Sequence, residues 1–179
     1  MSLPTFRYHP DPLASGSVVA SDKPCIVCKQ QRGYLYDGPV YGEGEDIDDI
    51  CPWCIADGGA HAKLDVTFVD DRALDDDISP AVLSEVTCRT PGFASWQTEQ
   101  WPCCCDDATA FLKPVGIAEI RRDHYEWEGT LMGHIVHDMQ ISGGAARRLL
   151  DSLHRDSGPT AYAFLCLHCH RTHFYIDQL

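Results

Sequence analysis

Ten cysteines in 179 residues are the feature of this chain most able to do chemistry, and their spacing is specific. Cys25-Ile26-Val27-Cys28 and Cys51-Pro52-Trp53-Cys54 are two Cys-x-x-Cys pairs with 22 residues between them. Such a pair turns both thiolates toward one point while backbone N–H groups face the sulfurs, and two pairs supply the four ligands of a tetrahedral zinc site. The separation is close to the roughly 15–20 residues of the recognised double-knuckle pattern. Four thiolates close the coordination sphere, so the predicted zinc holds the fold together and leaves no position for a reactive water. A rival reading of Cys51-Pro52-Trp53-Cys54 is a redox dithiol at a helix start. No βαβ pattern precedes it, and that reading leaves Cys25 and Cys28 without partners.

A second set is less regular. Cys166-Leu167-His168-Cys169 has no sequential partner, and the remaining cysteines are Cys103-Cys104-Cys105 with Cys88 apart. Joining the terminal knuckle to this cluster across the fold predicts a second zinc site of Cys104, Cys105, Cys166 and Cys169. Adjacent cysteines project in different directions, so all three of the cluster do not suit one ion. Cys105 with either Cys103 or Cys104 is preferred, and His168, His170 and His173 are substitutes if only one cysteine reaches. The alternative is that these are small core residues, since reduced cysteine is among the most buried types. His134 and His137 invite a metal or acid–base reading, but no acidic residue is placed at helical spacing to form a recognisable metal motif, and local hydrogen bonding is the expectation. There is no Gly-x-Ser-x-Gly, Walker loop or dinucleotide fingerprint. Asp46, Asp48 and Asp49 resemble a calcium loop only faintly, with the Gly and bidentate Glu positions wrong.

Positioning these groups requires a folded core, and 44% hydrophobic against 23% charged content supplies one. No apolar run approaches the roughly 18 residues of a spanning helix, and residues 1–7 contain no apolar leader core, so a soluble cytoplasmic protein is expected. Fourteen basic against 27 acidic residues give a net charge of −13. That balance disfavours nucleic acid or an anionic membrane as the main partner. Residues 43–77 concentrate it, with 12 carboxylates against Lys63 and Arg72, a net of −10.

The elements read as α+β with short pieces. Residues 3–23, with Phe6, Tyr8, His9, Pro10 and Pro12, read as an extended arm laid over a core. Residues 33–41 alternate aromatics around a turn signal and predict strands or a hairpin. A helix is expected after Pro52, weakened at Gly58-Gly59. Residues 70–77 read as a solvated loop before a helix that starts at Ser79-Pro80. Thr90-Pro91-Gly92 is a turn and the candidate boundary between a zinc-ribbon-like lobe over 1–90 and an α+β lobe over 91–179, unless the two are integrated. Beyond it, residues 115–121 suggest a helix, and so does the segment after Gly143-Gly144, where Ala145, Ala146, Leu149, Leu150 and Leu153 share a face until Gly158-Pro159. Residues 162–165 and 174–176 read as two strands of a terminal hairpin around Cys166–Cys169.

Taken together, Leu3-Pro4-x-Phe6-x-Tyr8-His9-Pro10-Asp11-Pro12, the knuckle continuing Cys51-Pro52-Trp53-Cys54-Ile55-Ala56-Asp57-Gly58, Arg89-Thr90-Pro91-Gly92-Phe93-x-x-Trp96-Gln97 and Cys166-Leu167-His168-Cys169 resemble the CbrC family of bacterial proteins over nearly the whole chain. The resemblance implies a role of the kind the family is named for, colicin tolerance or immunity, and no known reaction. The family pattern places a cysteine four residues after the Cys105 position, where this chain has Thr109. Two function classes follow. One is a zinc-stabilised, non-enzymatic protein whose acidic segments, with Glu43, Glu45, Asp46, Asp48, Asp49, Asp75, Asp76 and Asp77, bind a basic partner such as a nuclease domain. Solubility is the commoner role of such loops. The other is a thiol-dependent or hydrolytic enzyme using Cys103–Cys105 or the histidines.

Overall fold

The N-terminal arm has no regular structure through Gly16, yet Phe6, Tyr8 and His9 within it are buried. This computed structural model describes residues 2–43, 47–75 and 77–177. Burial of a polar ring requires partners for both nitrogens. His9 Nδ1 lies 2.7 Å from the Pro91 carbonyl and Nε2 lies 2.7 Å from Ser15 Oγ. A carbonyl only accepts, so Nδ1–H is the donor toward Pro91. Burial pushes its pKa down to about 4, against the Pro91 hydrogen bond and Asp11, which raise it.

The arm ends in β1 (Val18–Ala20), which pairs antiparallel with β2 (Tyr34–Tyr36) in the register Val18↔Tyr36. The strand expected near Gly33 is present, but its partner precedes the first knuckle, which therefore occupies the connection. Helix α1 (Pro52–Ala56) starts with Pro52 in its first turn, where a missing N–H costs nothing. Gly58 then adopts φ +76 and breaks the chain before α2 (Gly59–Leu64), as the Gly-Gly pair predicts. Ser79 caps α3 (Pro80–Arg89) by accepting from the Val82 N–H at 3.3 Å. The acidic loop is not wholly solvated, because a 3-10 turn (Asp71–Ala73) buries Ala73 and Leu74.

A small hairpin, β3 (Cys103–Cys104) with β4 (Asp107–Ala108), leads into β5 (Ala110–Val115). Helices α4 (Ile117–Asp123), α5 (Trp127–His137) and α6 (Gly143–Ser152) follow, then β6 (Thr160–Leu165) and β7 (Thr172–Asp177). The sheet has the order β5-β6-β7, antiparallel throughout. The helix expected over 115–121 loses Val115 to β5, starts after Gly116 and runs on to Asp123. Gly116 makes that change of element possible, since a Cβ there would stand 2.8 Å from the Arg155 nitrogen. Helix α6 stops at Ser152, six residues short of Gly158, and Ala145 faces solvent while Ala146 and Leu150 are buried.

Three apolar clusters organise the chain. One surrounds the first cysteine pairs with Phe6, Leu35, Ile50, Ile55 and Phe68. A second stacks Phe93 on Phe111, ring centroids 4.2 Å apart, with Trp101, Tyr162 and Phe164 around them. The third packs Leu131 and Ile135 of α5 and Leu150 of α6 on Phe174 and Ile176 of β7. The second cluster takes Tyr8, Val69 and Val86 from one side of Thr90 and the aromatic strands from the other, and Thr90–Phe93 is buried throughout. No helix among the described residues is long and apolar enough to cross a membrane.

Candidate metal centres

Cys25, Cys28, Cys51 and Cys54 present sulfurs that all lie within 4.8 Å of one another. Cys25 Sγ is 3.9 Å from Cys54 Sγ, and Cys28 Sγ is 3.8 Å from Cys51 Sγ. Local backbone geometry aims them. Lys29 N–H donates to Cys25 O at 2.8 Å, Cys25 N–H donates to Gln30 O at 3.0 Å, and Lys29 adopts φ +60 to close the loop. The opposite pair sits at the start of α1, with Cys51 as its N-terminal flanking residue. Burial opposes ionisation of Cys25, but N–H groups outweigh it: those of Val27 and Cys51 lie 3.4 and 3.3 Å from its sulfur, and its pKa falls to about 7. Burial pushes Cys51 up to about 11 and Cys54 well above its ordinary value, with the neighbouring sulfurs adding to the rise at Cys54. One thiolate therefore forms readily, and further ones need a cation.

Cys104, Cys105, Cys166 and Cys169 form a second group, again with sulfurs within 4.8 Å of one another. Cys104 Sγ stands 3.7 Å from both Cys105 Sγ and Cys169 Sγ. The terminal knuckle is the turn of the β6–β7 hairpin, and its hydrogen bonds repeat those of the first. His170 N–H donates to Cys166 O at 3.1 Å, Cys166 N–H donates to Arg171 O at 2.9 Å, and His170 has φ +58. His168 and Cys169 N–H groups point at Cys166 Sγ from 3.5 and 3.4 Å. Burial again resists charge at Cys166, and these N–H groups override it, bringing the pKa down to about 6.

Adjacent cysteines reach one point here because the β3–β4 turn is unusual. Cys105 and Asp106 both adopt left-handed backbone, φ +58 and +57, which swings Cys105 back toward the Cys104 side chain. Cys103, left open as an alternative, turns away, with its thiol 3.7 Å from Trp101 O. The histidines named as substitutes stay outside the group. His168 Nε2 lies 2.8 Å from Asp107 Oδ2, His170 closes the knuckle, and His173 lies on β7. Thr109 is fully buried, its hydroxyl donating to Pro102 O at 2.6 Å, and it is not among the residues of this group.

Asp107 is a residue that sequence reasoning missed. It accepts from Arg7 at 2.6 Å and from Tyr8 Oη at 2.7 Å while contacting His168, and so ties the N-terminal arm to the C-terminal knuckle. No spacing announces such a contact. A nearer signal existed for His134: Asp138 stands four residues on, with Oδ2 2.7 Å from Nδ1, so an acidic residue at helical spacing is present after all. His137 is exposed in the last turn of α5. Of the acidic residues, Glu43, Asp48, Asp75 and Asp77 are exposed, and Asp49 pairs with Lys23 at 3.0 Å. Glu45, Asp46 and Asp76 lie outside the described residues.

The profile of the Uncharacterised protein family (UPF0167) matches residues 3–178. The chain belongs to this family. Among similar proteins, a UPF0167 protein of Mycobacterium bovis is 42% identical over 180 residues, covering 93% of this chain and 89% of its own length. A UPF0167 protein of Pseudomonas aeruginosa is 41% identical over 177 residues, covering 98% of this chain and 97% of its own. No solved structure matches. The family span takes in both cysteine tetrads, so each lies within the shared unit.

Proposed function

We propose that this chain is a zinc-organised scaffold in which both four-cysteine groups hold zinc(II) as architecture, and whose acidic surface engages a basic protein. The observation that carries the metal is the sulfur spacing. Four thiolates around one zinc at about 2.3 Å stand about 3.8 Å apart; two sulfur pairs in each tetrad stand 3.7–3.9 Å apart, and all the sulfurs of a tetrad lie within 4.8 Å of one another. Disulfides require sulfurs at about 2.05 Å, and soft tetrahedral thiolates select zinc or iron over hard cations. Zinc would supply charge neutralisation and a cross-link, while Cys25, Cys28, Cys51 and Cys54 fix the first knuckle pair and Cys104, Cys105, Cys166 and Cys169 fasten two hairpins together.

The binding role rests on charge. A net of −10 over residues 43–77, with Asp48, Asp75 and Asp77 exposed, accelerates encounter with a basic surface and needs no reactive group. Immobilised wild-type protein and an Asp75→Asn/Asp77→Asn variant, exposed to host lysate at low and high salt, test this. Basic proteins retained by wild type, shed by about 0.5 M salt and reduced with the variant, support it. Equal capture by both removes the acidic surface from the function.

A further inference from the structure

Beside the second tetrad, and independent of any metal, lies a cleft of about 880 Å³ between the loop after Ala73, helix α5 and strand β7. Trp101, Tyr175 and Phe174 contribute apolar surface to its wall, and His134, His173 and Arg171 contribute nitrogen. Three observations set it apart from an incidental groove. His134 is oriented: the Asp138 carboxylate accepts from Nδ1–H at 2.7 Å, which leaves Nε2 without a protein partner among the described residues. His173 Nε2 is buried and has no hydrogen-bond partner among the described residues, a state that calls for a partner. The Arg171 guanidinium is exposed and has no ion-pair partner among the described residues, although the chain carries 27 carboxylates.

We propose that this cleft binds a small organic anion, a carboxylate or a phosphate monoester bearing a ring. Arg171 pairs with the anionic oxygens, His134, protonated at Nε2 as the anion binds and held through Nδ1–H by Asp138, donates to them, and the ring lies against the aromatic wall. A planar guanidinium matches two oxygens of either group. A volume of this size suits one small organic molecule. Two carboxylates, Asp75 and Asp138, also line the cleft and repel extended polyanions.

Phenyl phosphate, benzoate and benzylamine are the probes, titrated into the full zinc-loaded chain while the imidazole resonances of His134 and His173 are followed by NMR. The expected result is saturable shifts of both rings with at least one of the two anions, phenyl phosphate and benzoate separating the phosphate from the carboxylate source. Affinity should fall about ten-fold or more in Arg171→Gln, with zinc content unchanged. Because Arg171 follows the knuckle, His134→Gln on α5 is the second variant, and it should weaken the same anion without touching the tetrad. Asp138→Asn should weaken it through His134, and the shift of the His134 ring itself reports that route. No saturable shift with either anion, undiminished binding in both Arg171→Gln and His134→Gln, or preferential binding of benzylamine at these rings overturns the proposal.

Discussion

At the scale of single residues the sharpest consequence concerns His9. Its pKa in the fold is about 4, lowered chiefly by burial, against about 6.5 in an unfolded chain. The unfolded state therefore binds more protons between these values. His9 contributes fully above about pH 6.5, and that contribution is lost as pH falls toward 4, with a total of about 3 kcal/mol. Urea unfolding followed from pH 7 to 4 should show this slope, and His9→Asn should flatten it; parallel slopes in both proteins would contradict the assignment. Gly92 gives a steric counterpart. A Cβ there would meet the Phe68 carbonyl oxygen at 2.0 Å, so Gly92→Ala should cost about 3 kcal/mol or more in the same measurement. Sequence reasoning located His9 in an arm laid over a core, because an aromatic and proline-rich stretch has no other way to bury its rings. It had no means to find the Pro91 carbonyl, 82 residues away.

The elements carry the metal geometry, and they divided into legible and illegible ones for a physical reason. Helices α1 and α2, with their break at Gly58, and the capped start of α3 follow from local rules of Pro, Gly and Ser, so the sequence states them. The β3–β4 hairpin and α5 do not. Two consecutive non-glycine residues in left-handed backbone carry no turn signature, and α5 interrupts its apolar stripe with Gly129, Thr130 and Gly133. That hairpin decides the second tetrad, because it selects Cys104 over Cys103. Its environment also differs from the first: Cys105 and Cys169 are exposed, whereas Cys25, Cys51 and Cys54 are buried. A chelator in excess should remove one zinc well before the other, and Cys169→Ser should abolish the fast phase while Cys51→Ser leaves it; loss of both ions at one rate would show the centres to be equivalent. The Asp107 tie adds a test of the arm. Asp107→Asn weakens contacts to Arg7, Tyr8 and His168 at once and should cost about 2 kcal/mol, read as faster hydrogen exchange over residues 2–12. Unchanged exchange there would mean that the aromatic packing of Tyr8 alone holds the arm.

Over the whole molecule, two cysteine tetrads and an aromatic cluster organise the chain. The first tetrad lies inside its own apolar cluster, the second brings the β3–β4 turn to the β6–β7 turn, and Phe93, Trp101, Phe111 and Phe164 form a separate aromatic cluster. Zinc at both places would spare these short elements the need for larger cores of their own. The tetrads were legible because metal ligation is written as residue type and spacing. The cleft beside α5 was not, since only the fold brings His134 of α5 to Arg171 and His173. The central claim, that each tetrad is a mononuclear four-thiolate zinc centre, is tested most directly by elemental analysis joined to X-ray absorption at the zinc edge, on protein purified under reducing conditions without added metal. Two zinc ions per chain and a single shell of four sulfurs at about 2.3 Å are expected. Protein that folds with no metal, or zinc whose shell contains nitrogen or oxygen, would contradict it.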